Sequence, residues 1–150
     1  MLRIVPFALR HVQPAAALEW QCFSSPWSED ALAEELKNPD AFFVAAEEDG
    51  AFVGYAGMHC PMGDCYIDNI AVAPAARRRG VARELLAALD RLAGERGLYR
   101  VTLEVRASNA PAIALYESAG YIREGIRPGF YRKPTEDAVL YSRYETNGKE

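Results

Sequence analysis

The sequence predicts a mixed α/β fold, and three observations carry that reading. Short apolar runs of strand length alternate with stretches of helical spacing along the chain. Val101, Leu103 and Val105 alternate strictly with Thr102, Glu104 and Arg106, as in a half-buried strand. Val81, Ala82, Leu85, Leu86, Leu89, Leu92 and Ala93 line one face of a long helix that Gly97 closes. A chain of 150 residues is expected to form a single domain, 1–150, with enough core to fold without staples.

The elements follow in order. Leu2 to Leu9 reads as an entering strand. His11 to Phe23 reads as a helix with Val12, Ala15, Ala16, Trp20 and Phe23 on its apolar side, broken by Ser24-Ser25-Pro26. Ser28 supplies a capping hydroxyl, and Glu29 and Asp30 supply first-turn acids, for a helix to about Lys37. Asn38-Pro39 stops it. Ala41–Ala46 and Ala51–Cys60 read as strands around the turn Glu48-Asp49-Gly50. Tyr66–Val72 is a third strand, ended near Pro74. Arg79–Arg96 is the long helix, and Tyr99–Arg106 the alternating strand. Asn109 is placed to cap a short helix to Ala119, with Gly120 at its stop. Tyr121–Ile126 and Ala138–Tyr144 are the last strands, and the polar tail Glu145–Glu150 is expected to fray.

Composition narrows the function classes. A net charge of −4 argues against non-specific nucleic-acid binding. Cys22, Cys60 and Cys65 are odd in number and form no CxxC pair, so they read as reduced thiols. No His/Cys/carboxylate set suggests a metal, and His11 and His59 read as isolated structural residues. No run of about 18 apolar residues is present, and no signal peptide is visible, so a cytoplasmic protein without a membrane partner is expected.

The chemistry concentrates in two segments. In the first, Ile70-Ala71-Val72 ends a buried strand, a loop runs through Arg77-Arg78-Arg79, and a helix opens at Gly80-Val81-Ala82-Arg83. Unpaired N–H groups and the positive dipole end make such a helix start an anion site. Gly80 allows close backbone approach, Ala82 keeps the first turn open, and the arginines add attraction for a polyphosphate. A solvated basic helix start is the plainer alternative. The second segment is Leu103-Glu104-Val105-Arg106-Ala107-Ser108-Asn109, with Ala114-Leu115-Tyr116-Glu117-Ser118-Ala119-Gly120-Tyr121 after it.

Together these segments resemble the GNAT acetyltransferases. Arg77-x-x-Gly80-x-Ala82 is similar to their acyl-coenzyme A pyrophosphate loop, and Asn109 to Tyr121 to their second signature. Leu103–Ser118, Pro26-Trp27-Ser28-Glu29, Asn69–Val72 and Glu136-Asp137-Ala138 resemble the RimI-type ribosomal-protein alanine N-acetyltransferases. The resemblance implies a mostly antiparallel mixed sheet of about seven strands, splayed in the middle and flanked by about four helices. It implies acetyl-CoA as co-substrate, and as acceptor the N-terminal alanine of a small-subunit ribosomal protein.

The resemblance also implies roles. Glu104 becomes the base for the attacking amine, and Tyr116 the acid for the departing thiolate. Ile70, Ala71 and Val72 become an open edge pairing with pantetheine amides. Arg77 to Arg83 hold the pyrophosphate, and Asn109 contacts the cofactor or merely caps its helix. An ordinary surface carboxylate and a core tyrosine remain the alternatives for Glu104 and Tyr116. Trp27 is either a pocket wall or a core residue. Phe130-Tyr131 stands where the family pattern has two tyrosines, followed by a short basic connection, Arg132 to Thr135. Asp68 is expected to meet a basic peptide. A small-amine acetyltransferase of the same fold and a non-catalytic acyl-CoA-binding module are the competing functions.

Overall fold

The computed structural model describes residues 1–144, so the expected frayed tail lies outside the described residues. The strands are β1 (Leu2–Pro6), β2 (Ala41–Glu48), β3 (Ala51–His59), β4 (Asp64–Val72), β5 (Arg100–Arg106), β6 (Ile122–Tyr131) and β7 (Glu136–Tyr144). The α-helices are α1 (Val12–Cys22), α2 (Glu29–Glu35), α3 (Val81–Glu95) and α4 (Ala110–Ser118). Short 3₁₀ turns cover Leu9–His11 and Pro74–Ala76. The strands form one seven-stranded sheet in the order β1-β2-β3-β4-β5-β7-β6, antiparallel except for the β4–β5 pair.

Local chemistry explains the boundaries. Asp49 and Gly50 take φ of 52° and 86°, the left-handed pair that a tight β2–β3 hairpin needs. The Ser28 hydroxyl accepts from the Ala31 N–H at 3.1 Å and starts α2, as expected. Strand β6 runs five residues past the expected Ile126, to Tyr131. A ladder with β7 sustains it through two register shifts, where composition alone signals a loop.

Two apolar layers cover the sheet. On one face α3 and α4 pack Val81, Leu85, Leu86, Leu89, Ala93 and Tyr116 against Val101, Leu103 and Val105. The strict alternation of β5 therefore sends its apolar residues to that face, and Glu104 to the other. On the opposite face α1 and α2 bury Val12, Ala15, Leu18 and Leu32 against Ala45, Tyr55 and Ala71. Here the helical phase differs from the sequence reading. Trp20 is 80% exposed, and Glu19 beside it is fully buried. Trp20 and Phe23 had drawn the apolar stripe toward themselves, whereas the tertiary contacts select Val12, Ala15 and Leu18.

Cys60 and Cys65 are joined by a disulfide, and Cys22 is free. The expectation of three reduced thiols is thereby corrected. The β3–β4 hairpin brings the two Cα atoms to 4.1 Å, and an odd count is compatible with one bridge and one thiol.

Candidate active site

The sheet parts in its middle. β4 and β5 are paired only at Asp64–Arg100, Cys65–Val101 and Tyr66–Thr102. Beyond Tyr66, β4 follows β3, with Asn69, Ile70, Ala71 and Val72 opposite Gly57, Ala56, Tyr55 and Gly54. A register shift between Gly57 and Met58 adds one residue, Asp68, to the β4 side. Such a bulge bends its strand and raises local twist. It turns β4 away from β5 and leaves the edge at Ile70–Val72 facing a cleft. Gly54 lets β3 lie close along the other side of β4, because a Cβ there would stand 2.6 Å from the Ala71 carbonyl oxygen.

The start of α3 lies beyond this edge. Gly80 is its N-cap at φ 81°, with no side-chain cap, and the first helical bond runs from the Glu84 N–H to the Gly80 carbonyl. A Cβ on Gly80 would meet nothing within 4 Å, so the space before the helix is open. The N–H groups of Val81, Ala82 and Arg83 precede that first bond and suit an anion. The arginines divide their work differently from expectation. Arg77 turns back and donates through Nε to the Val72 carbonyl (3.0 Å) and through Nη2 to Cys22 Sγ (3.2 Å). Arg79 pairs with Glu48 at 3.3 Å, and Arg83 donates to Ser118 Oγ at 3.0 Å, joining α3 to α4. Arg78, at φ 66°, is the one of the three loop arginines whose side chain makes no such contact among the described residues. Free attraction for a polyphosphate is thus reduced, and the helix start remains as the anion-seeking feature.

Glu104 projects from β5 near the point where the strands part. It accepts a hydrogen bond from the Tyr66 hydroxyl on β4 and pairs with Arg127 on β6. Its side chain is only 3% exposed, which the surface-carboxylate alternative does not predict. Glu104 holds the Tyr66 phenol well above its ordinary pKa, an effect second to burial. Tyr116 lies on α4, nearly buried, with its ring 6.0 Å from that of Tyr121. Burial pushes its phenol up to about 12, with Tyr131 adding to the rise, so it holds its proton across physiological pH. Asn109 caps α4 by accepting from the Ala112 N–H at 3.2 Å.

A cavity of about 410 Å³ opens beside Asn69, between the loops α1–α2 and β6–β7. Trp27, Phe130 and Tyr131 wall it, and Arg106, Arg132 and Lys133 stand at its border. Trp27 also packs on Phe43, so it serves both core and wall. Glu19 reaches the cavity from α1. It accepts from the Trp27 N–H (3.1 Å), the Tyr55 hydroxyl (2.5 Å) and Asn69 Nδ2 (2.7 Å). Burial pushes its carboxyl upward, against the opposing pull of those bonds.

Neither histidine is isolated. His11 bonds Glu47 at 2.7 Å. His59 bridges Glu35 of α2, at 2.6 Å, and Asp68, the bulge residue. Asp68 is thereby committed to His59 rather than offered to a basic peptide. Burial lowers the His59 pKa, but the two carboxylates outweigh it and the net shift is upward. A histidine with a raised native pKa stabilises fully below its unfolded value of about 6.5, and that contribution is lost as pH rises through the native value. His59→Gln is therefore expected to destabilise the protein more at pH 6 than at pH 9. Urea melts of both proteins at the two pH values test this, and equal differences would reject it.

Comparison with known proteins agrees with this geometry. Residues 12–121 match the acetyltransferase (GNAT) family. The chain belongs to the GNAT acetyltransferase family. It is 36% identical to the Bacillus subtilis "Putative [ribosomal protein bS18]-alanine N-acetyltransferase" over 88% of each chain. It is 38% identical to the Mycobacterium tuberculosis "N-alpha-acetyltransferase RimI" over 87% of this chain and 85% of that one. The crystal structure of the Escherichia coli ribosomal-protein-S18-alanine N-acetyltransferase superposes with a TM-score of 0.90 at 31% identity. That superposition covers 100% of this chain and 98% of that one. The GNAT fold expected from the two signatures is thus the fold observed, with RimI-type enzymes among its relatives.

Within this GNAT chain, some site residues were not legible from the sequence. Tyr66 and Arg127, which hold Glu104, come from strands distant in sequence and carry no local signal. Glu19 carried one: a carboxylate on the buried side of a helix needs partners. Reading Trp20 as the buried residue hid it.

Proposed function

We propose that this chain transfers acetyl from acetyl-CoA to the N-terminal α-amine of a small-subunit ribosomal protein, in the cytoplasm and as a single domain. The observation that carries the proposal is the cleft opened by the Asp68 bulge, with Glu104 beside it and the uncapped α3 beyond. Relatives named for alanine N-acetylation of bS18, matched over most of their length, support the acceptor.

The Ile70–Val72 edge offers backbone groups to amides of a pantetheine arm, although Arg77 already meets the Val72 carbonyl. Val81, Ala82 and Arg83 offer N–H groups to a pyrophosphate, with Arg78 beside them. Acetyl-CoA supplies an acetyl group activated as a thioester. Glu104 accepts the proton that the amine nitrogen sheds as it bonds the acetyl carbon. Tyr66 and Arg127 hold that carboxylate in place. Tyr116 donates its phenolic proton to the sulfur as the carbon–sulfur bond breaks.

Mass analysis of an alanine-initiated peptide after incubation with acetyl-CoA tests the proposal. One acetyl group on the α-nitrogen is expected. Acetyl found only on lysine would reject the α-amine as acceptor, and faster transfer to free polyamines and amino acids would favour the small-amine reading instead.

A further inference from the structure

The bulge at Asp68 does more than part the sheet. Side chains on a regular strand alternate between its two faces. Tyr66 points to the face that carries Glu104, and Ile67 packs into the core under α3. Asp68 then reaches His59, which also bonds Glu35 of α2, and Asn69 reaches Glu19 of α1. Two successive side chains therefore lie on one face. The extra residue in β4 accounts for this, because a bulge re-aims the side chain that follows it. Asn69 is thereby brought to the face of Tyr66 and Glu104, immediately before the Ile70–Val72 edge.

Asn69 also lines the cavity between the α1–α2 and β6–β7 loops, and its amide is held in one orientation. Glu19 is fully buried; its Oε1 accepts from the Trp27 N–H, and its Oε2 from the Tyr55 hydroxyl and from Asn69 Nδ2 at 2.7 Å. A carboxylate only accepts, so the Asn69 amide must turn its Nδ2 toward it. That nitrogen also lies 3.4 Å from the Tyr55 hydroxyl oxygen. Oδ1 occupies the other corner of the amide, and no donor reaches it among the described residues.

We propose that Asn69 binds the acceptor, its Oδ1 accepting an N–H of the incoming α-amine, and that Glu19 is the positioning residue that keeps Oδ1 turned outward. This inference rests on the α-amine reading above. A neutral α-amine attacks through its lone pair and carries two hydrogens. Glu104 receives the one that is shed, and Asn69 takes the other, which gives the lone pair a fixed direction. After transfer the nitrogen keeps that second hydrogen as an amide N–H. A neutral carbonyl suits this place. A second carboxylate there would favour the ammonium form, which has no lone pair to attack with.

The test measures, by calorimetry on the coenzyme A complex, the affinities of an alanine-initiated peptide and of its des-amino counterpart, which has hydrogen in place of the amine. Asn69→Ala should weaken the alanine peptide about two- to tenfold, the usual worth of one neutral hydrogen bond, and leave the des-amino peptide unchanged. Glu19→Gln sets an amide nitrogen against Asn69, whose own amide then turns Oδ1 inward. This variant should show the same selective loss with Asn69 intact. In the unaltered protein the Asn69 side-chain amide resonances should shift with the alanine peptide and not with the des-amino one, a readout that holds even where a variant does not fold. Equal effects on the two peptides, or no effect on either, would overturn the inference while acetyl transfer to the α-amine stands. No transfer to the alanine peptide by the unaltered protein would overturn that reading as well.

Discussion

Glu104→Gln is expected to lower kcat/KM by about 10²–10⁴-fold, the usual contribution of a positioned acid or base. The amide keeps the shape of the carboxylate and still accepts from the Tyr66 hydroxyl, but it takes up no proton. Its ion pair with Arg127 is lost at little cost to stability, because Arg127 is 58% exposed and regains water. Calorimetry should show coenzyme A binding undiminished, since the substitution leaves the backbone groups of the Gly80 helix start and the Ile70–Val72 edge unchanged. That combination separates a base from a binding residue. Near-normal turnover by the variant would remove Glu104 from the chemistry, and the acyl-CoA-binding reading would then gain ground.

Leu89→Ala should cost about 2–5 kcal/mol of stability, as expected for a buried leucine whose cavity does not collapse. Leu89 is fully buried in the layer under α3, which contacts five strands from β1 to β5. For a protein of this size each kcal/mol moves Tm by about 2–4 °C, so a drop of roughly 4–20 °C is expected in a thermal melt. An unchanged Tm would mean that α3 is not the roof joining the two parts of the sheet.

Much of the architecture was readable because its signals are local. The alternation in β5 fixed which side Glu104 faces, and the Leu85–Leu89 stripe fixed α3. Asn109 and Ser28 announced helix starts that the structure bears out. What escaped depends on pairs distant in sequence. Nothing near Asp68 shows that it becomes a bulge, since a bulge is a mismatch between two strands. Nothing near Arg77 shows that its guanidinium turns back to Val72 and Cys22 instead of reaching outward. Trp20 misled because a large apolar residue outweighs its neighbours in a periodicity count, and exposure is decided by what packs opposite. Proposing catalytic roles for Glu104 and Tyr116 needed family likeness, because a carboxylate and a phenol at these spacings are chemically ordinary.

The brief ladder between β4 and β5 has a wider consequence. Four strands lie on one side of that seam and three on the other, stitched by three residue pairs and roofed by α3. The protein thereby obtains an open backbone edge by omission, without inserting a loop or a lid. Its walls are main-chain groups whose spacing is set by the pleat. Side-chain variation along β6 and the α1–α2 segment could then retune the guest at one end without disturbing the berth at the other.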